Sequence, residues 1–470
     1  MNVIHLSAEC YPVAKVGGLG DVVGALPKYQ CLAGVNASVV MPFYDRKFTR
    51  DNRFETVYEG SSTLGNRPFH FTVLKEITNQ LGFSLYLIRI PGLLDRPEVY
   101  CYNDESEQFL AFQVAFLDWI VQREERPHIL HCHDHHMGLV PFLITSSYRY
   151  RSLANVPTVV TVHNGQYQGW MSWDKADLLP EIDLSKKGLL DWDGVINPLA
   201  AAIKCCWRFT AVSPSYMAEL SHNSNGLEYL FAAESGKGQG IINGIDTEVW
   251  NPQTDPMLAR KYNVRSVAAG KQANKEPLAG ASGLDPSKPL VAFIGRLVNE
   301  KGADLLPGAI RLSLEKNPGL NFLVLGSGEA EIEDQLRELN ELFPGRYHAT
   351  IGYNEVLSHK IYAAADFLVM PSRVEPCGLN QLYSLRYGTM PIVRSTGGLK
   401  DTVIDIETPE GYGITFTSLS VAGICAAIDR AVALYPDTAR TGTLRKKMMG
   451  LDFSWHQSAN QYINLYNSLY

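Results

Sequence analysis

Short apolar runs alternate with longer amphipathic stretches along almost the whole chain, and this alternation limits the fold more than any other feature. Residues 367–398 show it most clearly. Phe367-Leu-Val-Met370 reads as a buried strand. The chain then turns through Pro371–Gly378, and Leu379, Leu382 and Tyr383 fall at i, i+3, i+4, one face of a helix. Gly388 is expected to stop that helix, since a residue tolerant of positive φ is favoured there. Met390–Val393 is the next strand, and Ser395-Thr-Gly-Gly398 leads into another helix. Strand–loop–helix repeated in this way builds a mostly parallel sheet covered by helices. The ligand crevice of such a sheet lies at the carboxyl ends of its strands.

The first half repeats the pattern. Its strand candidates are Val3–Leu6, Ser38–Met41, Phe83–Ile90, Ile129–Cys132, Thr158–Val162 and Phe209–Val212, with helical patterns such as Gln108–Arg123 between them. Leu64–Leu74 is less regular and reads as an antiparallel excursion. Glycine-dense Gly236–Asn251 marks a boundary, after which the alternation restarts at Leu290–Ile294, Phe322–Leu325, His348–Ile351, Phe367–Met370 and Pro391–Val393. Arg265–Pro289, rich in Ala, Gly, Lys and Pro, is expected to be an exposed connection or a short peripheral helix. A chain of 470 residues exceeds one ordinary core. The economical reading is α/β: two Rossmann-like domains, 1–242 and 243–453, facing across a cleft. The apolar stretch 454–470 suits a terminal helix that must dock on something.

A net charge of −7 argues against a nucleic-acid or anionic-membrane surface, so any anionic ligand must be held by local Lys and Arg. The eight cysteines are scattered without a CxxC pair, which fits free thiols in a reducing cytoplasm. The opening MNVIHLSAE reads as a strand at once, without the basic and apolar regions of a secretory leader. No apolar run reaches the length of a membrane span.

Several strand-end loops carry chemistry. Lys15-Val-Gly-Gly-Leu-Gly-Asp21 follows the first strand, and its glycines let backbone approach a ligand. The spacing of Gly17, Gly18 and Gly20 is not the dinucleotide fingerprint, but Lys15 favours phosphate. His131-Cys-His-Asp-His-His136 resembles a metal tract. His131 and His133 would share one strand face, yet the spacing shows no converging tetrahedral set, so polar lining of a cleft is the expectation and no metal is assigned. Asp134 stands where it would cap a following helix. Thr161-Val-His163-Asn164-Gly165 ends another strand; His163 and Asn164 can face a crevice, or the Asn-Gly pair can be an ordinary turn. In the second half Arg296 ends a strand and Lys301 lies in the loop before a helix. A guanidinium and an ammonium so placed can neutralise a diphosphate, although both can equally be solvated surface cations. Glu375 would gain from a helix N-terminus, and a carboxylate beside anion sites suits sugar hydroxyls better than phosphates. Tyr353 either stacks on a base or packs at its loop.

The ordered set KVGGLGD at 15–21, HCHDHH at 131–136, TVHN at 161–164, NGID at 243–246, GRLVNEKG at 295–302, GSG at 326–328, IGY at 351–353 and PSRVEPCGLNQLYSLRYGTMPIVRSTGG at 371–398 resembles bacterial glycogen synthases and plant starch synthases. The resemblance runs from about residue 3 to the C-terminal helix. It implies the two-domain GT-B arrangement, with 454–470 crossing back to the first domain. It implies a retaining glucosyltransferase that moves glucose from a nucleoside diphosphate glucose to the non-reducing end of an α-1,4-glucan, without cofactor or bound metal, in the cytoplasm.

Carried over residue by residue, the resemblance assigns Arg296 and Lys301 to the diphosphate, with Lys15 in its Gly18- and Asp21-containing loop reaching it from the other domain. Glu375 and the backbone at Cys377 and Gly378 would hold glucose hydroxyls, and the backbone of Leu379 and Asn380 the phosphate or ribose. His163 and Asn243 would line the sugar pocket, Asp134 would sit near sugar and acceptor, and Tyr353 would pack on the base. Many retaining GT-B enzymes carry a second Glu eight residues after the first; here that position is Tyr383, as in glycogen synthases. The resemblance favours ADP-glucose as donor, but KVGGLGD differs from the KTGGLAD of many ADP-glucose enzymes, and this leaves UDP-glucose open.

Overall fold

The computed structural model describes residues 1–470. Its strands are β1 (Asn2–Leu6), β2 (Asn36–Pro42), β3 (Phe54–Leu64), β4 (Arg67–Glu76), β5 (Ser84–Arg89), β6 (Ile129–His133), β7 (Thr158–Val162), β8 (Asp191–Trp192), β9 (Val195–Ile196), β10 (Arg208–Ala211), β11 (Gly238–Gly240), β12 (Leu290–Ile294), β13 (Asn321–Gly326), β14 (Tyr347–Ile351), β15 (Phe367–Met370), β16 (Met390–Arg394) and β17 (Ile414–Phe416). Two compact units result: Met1–Gly244 together with Trp455–Tyr470, and Ile245–Ser454.

The first unit is built on a nine-stranded sheet ordered β11-β10-β7-β6-β1-β2-β5-β4-β3. Every pairing from β11 to β5 is parallel. The β3–β4 hairpin and the β4–β5 pairing are antiparallel, so the irregular stretch near residue 64 is the turn of a hairpin. Strand order reverses between β1 and β6, where a doubly wound sheet opens its crevice. The core strands read as unbroken apolar runs because both faces are covered; Val3, Ile4 and Leu6 of β1 are all buried.

The last helix, Trp455–Asn467, belongs to this unit. Trp455, Ala459, Tyr462, Leu465 and Tyr466 pack with Val22, Leu26 and Tyr29 of the helix Gly18–Leu32 and with Val3 and Ile129 of the sheet. Ser458 donates to the Ile242 carbonyl at 2.6 Å, fixing its first turn.

The second unit has a six-stranded, all-parallel sheet ordered β14-β13-β12-β15-β16-β17. Its order reverses between β12 and β15, bringing the loops after those two strands together.

Arg265–Pro289 differs from its expectation. It holds a 15-residue helix, Val267–Ala281, and Lys271 and Lys275 of that helix are buried. The Lys271 ammonium donates to the carbonyls of Tyr362, Ala363 and Tyr387 and to the Thr389 hydroxyl. Lys275 pairs with Asp366 at 2.7 Å. Residues that look like solvated cations in sequence are thus internal ties, each nitrogen surrounded by oxygens, although burial holds Lys271 well below the usual lysine range. No helix is long and apolar enough to cross a membrane, and all eight cysteines are free thiols.

Candidate active site

In the first unit, the loop after β1 is shaped by Glu9. Its buried carboxylate accepts from the N–H groups of Val16 (2.5 Å) and Gly17 (2.9 Å) and from the Tyr100 hydroxyl (2.7 Å). Lys15 is paired with Asp21 at 2.7 Å across the first turn of the helix Gly18–Leu32. Gly18 begins that helix in open space, so a Cβ there would meet nothing within 4 Å. A hollow of about 410 Å³ beside the loop is lined by Lys15, Arg46 and Lys47, among others.

Asp134 ends β6 with a φ of +59°, an uncommon conformation for a residue with a side chain. The expected helix cap is absent. Its Oδ1 instead accepts the backbone N–H of His163 at 2.7 Å, joining the ends of β6 and β7. Burial pushes this carboxyl up to about 7, against the opposing effect of the N–H groups of His163 and Asn164.

His131 and His133 do share a strand face, but they are fully buried and line no cleft. They stack at 4.3 Å, and His5 of β1 adds a third ring 4.8 Å from His131. The ligand atoms of these three rings lie within 4.8 Å of one another. Every one of their ring nitrogens already has a hydrogen-bond partner, which leaves no lone pair uncommitted. Glu105, His135 and His136 come equally close, and there the Nδ1 atoms of both rings are buried without a partner.

His163, at the end of β7, bonds to His133 through Nε2 at 3.0 Å, and burial lowers its pKa to about 3. Asn243 is buried, and its Oδ1 has no hydrogen-bond partner.

The second unit gathers its candidates at the reversal point of the sheet. Lys301, in the loop after β12, donates to both Glu375 oxygens, at 2.7 and 2.8 Å, in the loop after β15. The Ser372 hydroxyl adds a third bond to that carboxylate at 2.9 Å. The expectation that a helix N-terminus holds Glu375 is therefore corrected: the helix starts only at Asn380, and Lys301 and Ser372 do the holding. Arg296, earlier in the same loop as Lys301, has 62% of its side chain exposed and Glu300 at 3.6 Å.

The glycines at these loops are sites of close backbone approach. A Cβ on Gly302, at φ +69°, would lie 2.1 Å from the Pro371 carbonyl, and one on Gly397, at φ +45°, 2.0 Å from that of Glu375. These contacts press the loop after β12, the EPCGL turn and the TGG turn together. Cys377 is buried, Gly378 sits at φ +76°, and Leu379 precedes the helix whose Asn380 amide donates to the Ile294 carbonyl at 2.7 Å. Tyr353 is 83% exposed.

Reading the sequence alone missed His5, Glu9, Gln30, Ser372 and Tyr466. A lone histidine inside the apolar run Val3–Leu6 was a usable signal for the first of these.

Comparison with known proteins identifies the family of the chain. Residues 2–233 match the family profile described as starch synthase catalytic domain, and residues 274–447 match glycosyl transferases group 1. A glycogen synthase of Flavobacterium johnsoniae is 53% identical over 99% of both chains. One from Thermodesulfovibrio yellowstonii is 37% identical over 100% of this chain and 98% of its own. Among solved structures, the catalytic domain of starch synthase IV from Arabidopsis thaliana, bound to ADP and acarbose, superposes with a TM-score of 0.89 at 33% identity, covering 100% of this chain and 99% of that one. Sucrose-phosphate synthase from Thermosynechococcus elongatus, at 19% identity and a TM-score of 0.64 over 99% and 98% of the chains, shares the fold. The chain belongs to the glycogen and starch synthase family of GT-B glycosyltransferases, enzymes that carry out the glucosyl transfer of glycogen synthesis.

Proposed function

We propose that this enzyme takes glucose from ADP-glucose and adds it to the non-reducing end of an α-1,4-glucan in the cytoplasm, with retention at the anomeric carbon. The observation that carries the reading is the Lys301–Glu375 pair at the reversal point of the second sheet, with Arg296 exposed in the same loop as Lys301. Two of the three ammonium protons of Lys301 are committed to Glu375, which leaves the third for a phosphate oxygen. Arg296 and Lys301 stabilise the charge that grows on the diphosphate as the C1–O bond breaks. Lys15, already held by Asp21 beside Gly18, is assigned to the same phosphates.

Glu375 orients the sugar rather than attacking it. Its two oxygens carry three hydrogen bonds, a stationary arrangement suited to accepting glucose hydroxyls. The backbone at Cys377 and Gly378 serves those hydroxyls too, and that of Leu379 and Asn380 the phosphate or ribose. Asn243 offers the unpartnered Oδ1 that a sugar hydroxyl would satisfy. His163 faces the sugar, Asp134 sits behind it, and the exposed Tyr353 packs on the base. The departing phosphate oxygen takes the proton of the acceptor hydroxyl as that hydroxyl attacks C1 from the leaving-group side. No metal enters any of these steps.

The preference for ADP over UDP draws support from the ADP-bound starch synthase that this chain matches over its full length. Incubation with glycogen and either ADP-glucose or UDP-glucose tests it: glucose incorporation and released ADP are expected from the first donor. Faster turnover of UDP-glucose would reverse the assignment.

A further inference from the structure

A hydrogen-bonded chain runs through the core of the first unit and ends at His163. His163 Nε2 meets His133 Nδ1 at 3.0 Å, and His133 Nε2 meets His5 Nδ1 at 3.0 Å. His5 Nε2 meets the Gln30 carbonyl oxygen at 2.7 Å. The Gln30 amide nitrogen donates to the Tyr466 hydroxyl at 3.1 Å, which meets His131 Nδ1 at 2.6 Å. His131 Nε2 then meets Thr161, and Thr161 meets Thr210. His5, Gln30, His131 and His133 are buried without exposure.

Burial keeps these imidazoles neutral: it lowers His5 to about 4 and holds His133 well below the usual histidine range. A neutral imidazole has one N–H and one bare nitrogen. Each nitrogen–nitrogen link needs a single proton, so fixing one ring fixes the rest. Gln30 Oε1 can only accept, so His5 carries its proton on Nε2. His5 Nδ1 is then bare and accepts from His133 Nε2–H. His133 Nδ1 is bare in turn and accepts from His163 Nε2–H. In this orientation the Gln30 amide nitrogen donates to the Tyr466 hydroxyl, and that hydroxyl passes its proton on to His131.

We propose that Gln30, His5 and His133 are positioning residues that lock His163 in its Nε2–H tautomer and so leave Nδ1 bare as a hydrogen-bond acceptor for a hydroxyl of the donor sugar. His163 Nδ1 has no protein partner and is not sealed from solvent, as this requires. The proposal rests on the assignment of His163 to the sugar. Tyr466 extends the lock to the last helix, which joins a residue at the end of the chain to the polarity of the pocket. The reverse polarity, with Gln30 flipped, would present Nδ1–H and turn the same ring into a donor.

The test is nitrogen-15 NMR of the full chain labelled at histidine, which reads the tautomer directly and needs no variant. Resonances of His163, His133 and His5 are expected to report protonation at Nε2. Protonation of His163 at Nδ1 would overturn the proposal. His133→Phe cuts the chain, and it should give a mixture of His163 tautomers and a kcat lowered about tenfold, the worth of one hydrogen bond. His133→Gln, whose amide can accept from His163 and donate to His5, should restore both readings. An unchanged tautomer and kcat in His133→Phe, or a Gln variant no better than the Phe variant, would also overturn it. His163→Ala separates the two assignments. Full activity there would remove His163 from the sugar while leaving the tautomer result standing.

Discussion

At the scale of single residues, the two cations proposed to carry the reaction's charge are of unequal standing. Lys301 is committed to Glu375, so replacing it also leaves a buried carboxylate unpaired. Arg296 is exposed, and its pairing with Glu300 is worth little to stability. Arg296→Ala is therefore the cleaner variant: kcat should fall by about 10²–10³, as for a missing electrostatic stabiliser, with an unchanged melting temperature. Near-normal kcat would remove it from the leaving group. Glu375→Gln keeps one acceptor oxygen and loses the charge that holds Lys301. Donor binding should weaken and turnover fall, with residual α-retaining transfer. A collapse to background would make Glu375 the covalent nucleophile, because an amide cannot form the glycosyl ester.

Asp134 gives a pH signature. Its carboxyl ionises near 3.8 when unperturbed and near about 7 in the fold, so the folded state binds the proton more tightly between those values. Stability contributed by this proton is present at low pH and is lost as pH rises through the folded value. The stability of the wild type relative to Asp134→Asn should therefore decline from about pH 4 to about pH 7 and then level off. A difference that stays flat over this range, measured by urea unfolding, would show the carboxyl charged throughout.

At the scale of elements, the final helix is part of the first unit's core. Tyr462 is fully buried among Val22, Leu26 and Tyr29. Tyr462→Ala should cost about 3–5 kcal/mol, the range for removing a large buried aromatic side chain, read as a lower urea midpoint. A shift under about 1 kcal/mol would mean that the helix is only lightly docked. The element scale is also where sequence reading succeeded and failed for identifiable reasons. β1, β6, β7, β12, β13 and β15 were legible because strands covered on both faces are written as apolar runs. β3 was not, because most of its residues keep some exposure and its apolar pattern is thin. The helix Val267–Ala281 was misread because the acceptors for Lys271 lie about 90 or more residues away, at Tyr362, Ala363, Tyr387 and Thr389. The chain from His163 to Tyr466 was invisible for the same reason: Gln30 and Tyr466 are 436 residues apart. The candidate residues themselves were legible as strand-end motifs, but their partners were not, since a motif does not say what its side chains will touch.

At the scale of the whole molecule, two doubly wound units each carry candidate residues at the point where strand order reverses. The first presents Asp134 there, with His163 at the end of the neighbouring β7, and the second presents Arg296, Lys301 and Glu375. The family match spans both units. The activity proposed for the molecule as a whole is the lengthening of a glucan by retaining transfer of glucose. Carbon-13 NMR of glycogen extended with ADP-glucose labelled at C1 reads the linkage that is made. The labelled anomeric carbon is expected to appear as an α-1,4-linked residue at chain ends. A β-linked signal, or label recovered only as free glucose, would contradict the proposed activity.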